Sequence, residues 1–152
     1  MRFVIQRVTS AKVDIDGKTK ASIGKGFCVL IGIGRGDDEA VADKLISKMI
    51  GLRIFEDADG KTNLDLSQVG GKLLLISQFT LYADCRKGNR PSFTNAGKPD
   101  EASRLYDYFC AACQSRIKGR VETGEFGADM KISLLNDGPF TVVLECENGE
   151  IR

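Results

Sequence analysis

LLLISQFTLYAD, Leu73 to Asp84, is the stretch whose reading decides the fold. Leu73 to Ile76 form an unbroken apolar run, which reads as a strand buried on both faces. It leads directly into Ser77, Gln78 and Thr80, before Leu81 and Tyr82 close the pattern. Hydrogen-bonding side chains at the end of a buried strand need partners or a purpose. This segment is therefore taken as the axis of the fold and the floor of its site.

Strand signals lie on both sides of it. Arg2 to Ile15 alternates apolar and polar residues, with a bulge expected near Thr9 and Ser10, and turns at Asp16-Gly17 into a return strand over Lys18 to Ile23. Phe27 to Ile33 is a second buried run. Asp37 and Asp38 then open a helix whose apolar residues Val41, Ala42, Leu45, Ile46, Met49 and Ile50 make a stripe wide enough to cover a sheet, ending at Gly51. A strand is expected from Leu52 to Phe55, and EDADGKTN at Glu56 to Asn63 reads as a turn-rich loop, since it lacks the spacing and closing glutamate of a calcium loop. Pro99, Asp100 and Glu101 start a second helix, carried by Ala102, Leu105, Tyr106, Phe109, Cys113 and Ile117 and stopped by Gly119. Met130 to Leu135 and Phe140 to Cys146 read as two strands joined by a tight turn at Asn136 to Pro139.

These elements predict an α+β protein with largely antiparallel sheets, two of them packed together in a barrel-like way and flanked by two helices. At 152 residues with 42% apolar content, one domain over residues 1–152 is expected. The net charge of +1 provides no global field for polyanions, so any nucleic-acid contact must be local. The long loop Cys85 to Pro99 is the candidate, with Arg86, Lys87, Arg90 and Lys98 around Phe93; a merely solvated loop is the other reading. No apolar run is long enough for a membrane span, and MRFVIQRVTS is not organised as a signal peptide, so a cytoplasmic address is expected.

Five cysteines are scattered, and the one CxxC pair, Cys110 and Cys113, falls within a helical pattern, which reads as core packing. The chain has no histidine. That excludes Ser-His-Asp and Cys-His nucleophile systems, histidine metal sites and an imidazole base. Gln78 and main-chain N–H groups at the strand end offer an oxyanion hole, whereas the Thr80 hydroxyl lacks an evident activator and on pattern alone reads as satisfied by its own backbone.

SQFTL at Ser77 to Leu81, RPSF at Arg90 to Phe93 and NDGPFT at Asn136 to Thr141, in that order, resemble the D-aminoacyl-tRNA deacylase family. QRV at Gln6 to Val8 and ADM at Ala128 to Met130 extend the likeness over nearly the whole chain. The resemblance implies a homodimer that hydrolyses the ester between a D-amino acid and the terminal adenosine of tRNA, with no cofactor and no metal. Ser77, Gln78, Phe79 and Thr80 would line the pocket. A cis Gly138-Pro139 unit would reach in from the partner subunit, with Arg7 and Asn136 supporting its turn. The family usually carries valine where Phe140 stands, which leaves open whether Phe140 reshapes the pocket wall or packs beneath the turn. A nucleic-acid-binding protein without turnover is the alternative, and a structural dimer with a vestigial pocket the third reading.

Overall fold

The computed structural model describes residues 1–152. Its strands are β1 (Arg2–Ile15), β2 (Lys18–Ile23), β3 (Gly26–Gly32), β4 (Phe55–Glu56), β5 (Thr62–Leu64), β6 (Lys72–Ser77), β7 (Val121–Thr123), β8 (Met130–Glu147) and β9 (Glu150–Ile151), and its helices are α1 (Glu39–Ile50) and α2 (Pro99–Arg116). Seven strands form one curled sheet in the order β7-β6-β3-β1-β8-β9, with β2 paired to β1 beside this path. The α+β architecture with two helices stands. The second sheet is only the β4-β5 ribbon, and both neighbours of β6, namely β3 and β7, run parallel to it.

That parallel pairing explains the unbroken apolar run. Leu73 and Leu75 face the core under the helices with Phe3, Phe27 and Phe109, while Leu74 and Ile76 face the inside of the curl with Val8, Val13 and Cys28. A strand covered on both sides has no polar face to alternate with. It is shorter than expected: β6 ends at Ser77, and Phe79–Tyr82 form one 3₁₀ turn rather than continuing the strand.

Helix α1 begins as its sequence requires, the Asp38 carboxylate accepting from the Val41 N–H at 2.9 Å. Asp37 is not a helix cap: it accepts from the Gly34 N–H and from the Met1 ammonium, each at 2.6 Å. Tyr108 and Arg116 of α2 bond to Asp43 of α1, at 3.0 and 2.8 Å, fixing the helix pair on the sheet. In the Glu56 to Asn63 loop the Asp57 carboxylate takes the N–H groups of Asp59 and Lys61 at 3.0 Å, so it serves its own turn. The strand expected over Leu52 to Phe55 is displaced to Phe55–Glu56. No helix is long and apolar enough to cross a membrane.

The expected turn between two strands at Asn136 to Pro139 is not a reversal. Residues 130–147 are one strand, antiparallel to β1 along its whole length, and the extra residues bulge out where the register slips between Gln6 and Ser10. The irregularity read in β1 near Thr9 and Ser10 is thus one side of a shared defect, and the NDGP segment is the other.

Candidate active site

A cavity of about 610 Å³ opens at the carboxyl ends of the parallel strands β3 and β6. Ser77, Gln78 and Phe79 line it, together with Phe93 and Gly97 of the long loop and the segment Phe126 to Met130. The Gln78 N–H donates to the Ile31 carbonyl at 2.7 Å, which extends the β3–β6 contact by one residue and sets the exit of the chain. The first backbone bond of the 3₁₀ turn is from the Leu81 N–H to the Gln78 carbonyl, at 3.2 Å. The N–H groups of Phe79 and Thr80 precede it, so they have no acceptor within the turn. No side chain caps them. Both residues are exposed.

The side chains here hold one another. Nε2 of Gln78 donates to Oγ1 of Thr80 at 2.5 Å. Thr80 is therefore an acceptor in this arrangement, and no base approaches its hydroxyl. The one ionisable side chain lining the cavity is Asp129, whose two oxygens accept from Lys131 Nζ at 2.9 and 3.0 Å. Cys110 and Cys113 lie on α2, where burial pushes their thiols up to about 11 and about 12, so they stay neutral at pH 7 and are poor nucleophiles.

The Gly138–Pro139 peptide bond is cis, and both residues are exposed. Neither lines the cavity of its own chain. Asn136 folds over the bulge: its Oδ1 accepts from the Phe140 N–H at 2.6 Å, and its Nδ2 donates to Thr141 Oγ1 at 3.0 Å. Arg7, only 5% exposed, lies beneath. Its Nε donates to the Asp137 carbonyl at 3.0 Å and its Nη1 to the Ile54 carbonyl at 2.7 Å. Phe140 packs with its ring 4.8 Å from the Arg7 guanidinium and, like Gly138 and Pro139, does not line the cavity of its own chain. Gly138 has φ of +131°, a backbone conformation that favours glycine, and a Cβ there would stand 3.1 Å from Arg7 Nη2, a tight contact with the brace.

The basic loop divides in two. Arg86 clasps Asp84 at 2.9 and 2.6 Å, holding that carboxyl down at about 2, and Lys98 pairs with Glu101 at 3.1 Å. Lys87 and Arg90 are exposed and have no ion-pair partner. The loop is pinned by paired backbone bonds between Asp84 and Ser92, at 2.7 and 2.9 Å, and by Gly97 N–H to the Ile33 carbonyl at 2.9 Å. This sets the Phe93 ring edge-on to Phe79, 5.1 Å between centroids. Phe126, Met130 and Gly97 were not legible as lining residues, since no residue chemistry singles them out. Only the ADM motif marked their neighbourhood.

The result is an α+β protein whose pocket is bordered by the start of a one-turn helix and whose one lining carboxylate, Asp129, is already paired with Lys131. The model of the family described as D-Tyr-tRNA(Tyr) deacylase matches residues 4–145, and the chain belongs to that family. It is 56% identical over 145 residues to the D-aminoacyl-tRNA deacylase of Lactobacillus acidophilus, covering 95% of this chain and 99% of that one. The D-aminoacyl-tRNA deacylase of Phocaeicola vulgatus is 50% identical over 150 residues, 99% of this chain and 100% of the relative. Among solved structures, the c-Myc DNA Unwinding Element Binding Protein superposes with a TM-score of 0.92 at 36% identity, covering 97% of this chain and 99% of that one. A probable eukaryotic D-amino acid tRNA deacylase shares the fold, with a TM-score of 0.79 at 20% identity, over 93% of this chain and 97% of that one.

Proposed function

We propose that the protein hydrolyses the ester bond of D-aminoacyl-tRNA, releasing the D-amino acid and tRNA, without cofactor or metal. The observation that carries this reading is the start of the 3₁₀ turn at the cavity: Ser77, Gln78 and Phe79 line it, Thr80 stands just outside the lining, and the N–H groups of Phe79 and Thr80 have no acceptor within the turn. Such donors suit the oxyanion of an ester in transition. An aminoacyl ester is already activated, and the ribose brings its own 2′-hydroxyl beside the carbonyl. A site that positions this group needs no histidine.

The ammonium of the substrate is the other half. A cis Gly-Pro unit presents neighbouring carbonyl oxygens, which accept from an ammonium without any side chain. Because Gly138 and Pro139 do not line their own cavity, the reading requires a second copy of the chain to deliver them. Strand β8 supports this homodimer. It lies at the sheet margin, with only the short β9 beyond it, and it exposes Leu135 and Val143 at 61% and 56%. A long edge strand with exposed apolar side chains is a pairing surface.

With ammonium and carbonyl both fixed, one enantiomer's side chain points outward and the other's strikes main chain. Chirality is then rejected by shape alone. Glycine has no side chain to reject, so glycyl-tRNA is a substrate in this reading. Lys87 and Arg90 are the cations free to meet tRNA phosphates, with Arg86 and Lys98 available at the cost of their present pairs. A tRNA substrate and five free cysteines fit the cytoplasm.

The test is to incubate the protein with D-Tyr-tRNA and L-Tyr-tRNA in the presence of a chelator. Cleavage of the D ester alone supports the proposal. Binding of both with cleavage of neither would favour instead a nucleic-acid-binding protein, the reading that the structural likeness to the c-Myc DNA Unwinding Element Binding Protein keeps in view.

A further inference from the structure

We infer that Arg2 is a positioning residue for the deacylation, the side chain that locks the 3₁₀ turn carrying the Phe79 and Thr80 amides onto the sheet. The inference rests on the reading of those amides as the ester-binding groups. Arg2 touches neither of them and lies behind the turn, on β1.

A one-turn helix leaves carbonyls without partners at its end. Here the Thr80 carbonyl accepts from the Ala83 N–H at 3.0 Å, but the next N–H that could serve Leu81, that of Asp84, donates to Ser92 at 2.7 Å. The Leu81 carbonyl is left over. Nη1 of Arg2 takes it, at 2.7 Å. The positive charge lies at the carbonyl end of the turn, where it is favoured.

Arg2 is in turn held from both sides. It pairs in register with Gly32 of β3 and Glu145 of β8. Its Nε and Nη2 both donate to Glu145 Oε1, at 3.1 and 2.5 Å, and its guanidinium lies 5.3 Å from the centre of the Tyr82 ring. Tyr82 and Leu81 rest on a floor from which side chains are missing. A Cβ on Gly34 would stand 2.6 Å from the Tyr82 ring, and one on Gly32 would stand 2.9 Å from Leu81 Cβ. The turn therefore has a glycine floor and an arginine wall, and its residues are tied to one another by the bonds from Leu81 N–H to the Gln78 carbonyl and from Ala83 N–H to the Thr80 carbonyl. A shift at Leu81 reaches the Phe79 and Thr80 amides.

Two variants test this. Arg2→Met keeps the apolar stem and removes every donor, and Arg2→Lys keeps the charge but reaches one acceptor at a time. For Arg2→Met, kcat on D-Tyr-tRNA falls about 10-fold with KM within twofold, because ester orientation is lost and tRNA contact is kept. Amide hydrogen exchange over residues 78–83 rises while β6 stays protected, and Arg2→Lys lies between Arg2→Met and the unaltered protein in both measurements. A kcat for Arg2→Met within twofold of the unaltered protein, or unchanged exchange over 78–83, overturns the inference. Should Arg2→Met fail to fold, Arg2→Lys carries the same two readouts, and an unchanged kcat or exchange there is equally fatal. If the unaltered protein does not cleave D-Tyr-tRNA at all, the deacylase reading fails, and the exchange measurement alone decides whether Arg2 locks the turn.

Discussion

Replacing Arg7 by methionine separates the brace of the Gly138-Pro139 bulge from the bulge itself. Four contacts vanish: the bond to the buried Ile54 carbonyl, the bond to the half-buried Asp137 carbonyl, the 3.4 Å ion pair with the Asp137 carboxylate, and the cation over Phe140. A charged donor to a buried carbonyl is worth roughly 1.5–3 kcal/mol, the second bond less because water can replace it, and the ring contact about 0.5–1 kcal/mol. Methionine keeps most of the apolar packing of the arginine stem. The Asp137 carboxylate is 42% exposed, so losing its partner does not strand a buried charge. The net loss is about 3 kcal/mol, equivalent to a fall of about 10 °C in Tm for a chain of this length. Urea denaturation at fixed protein concentration reads the first number and a thermal scan the second. The bulge carbonyls then lose their fixed direction, and deacylation of D-Tyr-tRNA falls by at least about 10². A stability loss below about 1 kcal/mol together with activity within twofold would refute the view that Arg7 organises this segment.

Thr80→Ala retains kcat within about threefold, since the hydroxyl accepts from Gln78 and has no base; a loss beyond about 10³ would make it the nucleophile after all. The same assay on tRNA ending in 2′-deoxyadenosine is slower by about 10² or more, and with the normal substrate the pH–rate profile shows no inflection near ~6.5, where an imidazole would titrate. Leu135→Glu places a charge on the exposed β8 edge: sedimentation shows monomer, circular dichroism an intact fold, and activity is lost. An active dimer would mean that the interface lies elsewhere. The Asp84 carboxyl, held at about 2 chiefly by its bond to Arg86, is below its ordinary value of ~3.9, so the pair contributes fully above pH ~4 and is lost as pH falls through 2. Carboxyl ¹³C NMR should show that midpoint, moving up towards ~3.9 in Arg86→Ala; an unaltered protein titrating near ~3.9 would mean the pair does not form.

Elements with a local cause were legible in the sequence. The Asp16-Gly17 hairpin, the Asp38 cap and Pro99 at the start of α2 are written in residues that stand next to what they control. What was not legible depended on distant partners. Nothing in FTLY distinguishes a strand from a 3₁₀ turn, because the choice is made by the Gly32 and Gly34 floor and by Arg2, nearly eighty residues away. NDGP looked like a hairpin because Asn, Asp, Gly and Pro punctuate chains; β1 pairs on both sides of it and carries the strand straight through. Even the parallel neighbours of β6 had left a trace, in an apolar run that an antiparallel strand with one wet face would not need. The site motifs were found by resemblance; their residues alone offered an oxyanion hole at Gln78 but no nucleophile or base and no substrate.

That last difficulty has a physical origin. The groups offered to the substrate in this reading are amides and carbonyls, which every residue possesses, so the pocket cannot be recognised from reactive side chains. The information lies instead in the side chains that aim the backbone, and these need not touch the substrate. Strand β1 carries two of them, five residues apart. Arg2 reaches the Leu81 carbonyl at the end of the amide-bearing turn, and Arg7 reaches the Asp137 carbonyl beside Gly138-Pro139. Both are held again by a second anchor, Glu145 for Arg2 and the Ile54 carbonyl for Arg7. In the dimer proposed here the two segments of one chain serve two different pockets, so each pocket is aimed by Arg2 of one subunit and Arg7 of the other. Substitution within such a pocket changes little that the substrate meets, while substitution on β1 behind it changes the geometry of both pockets at once.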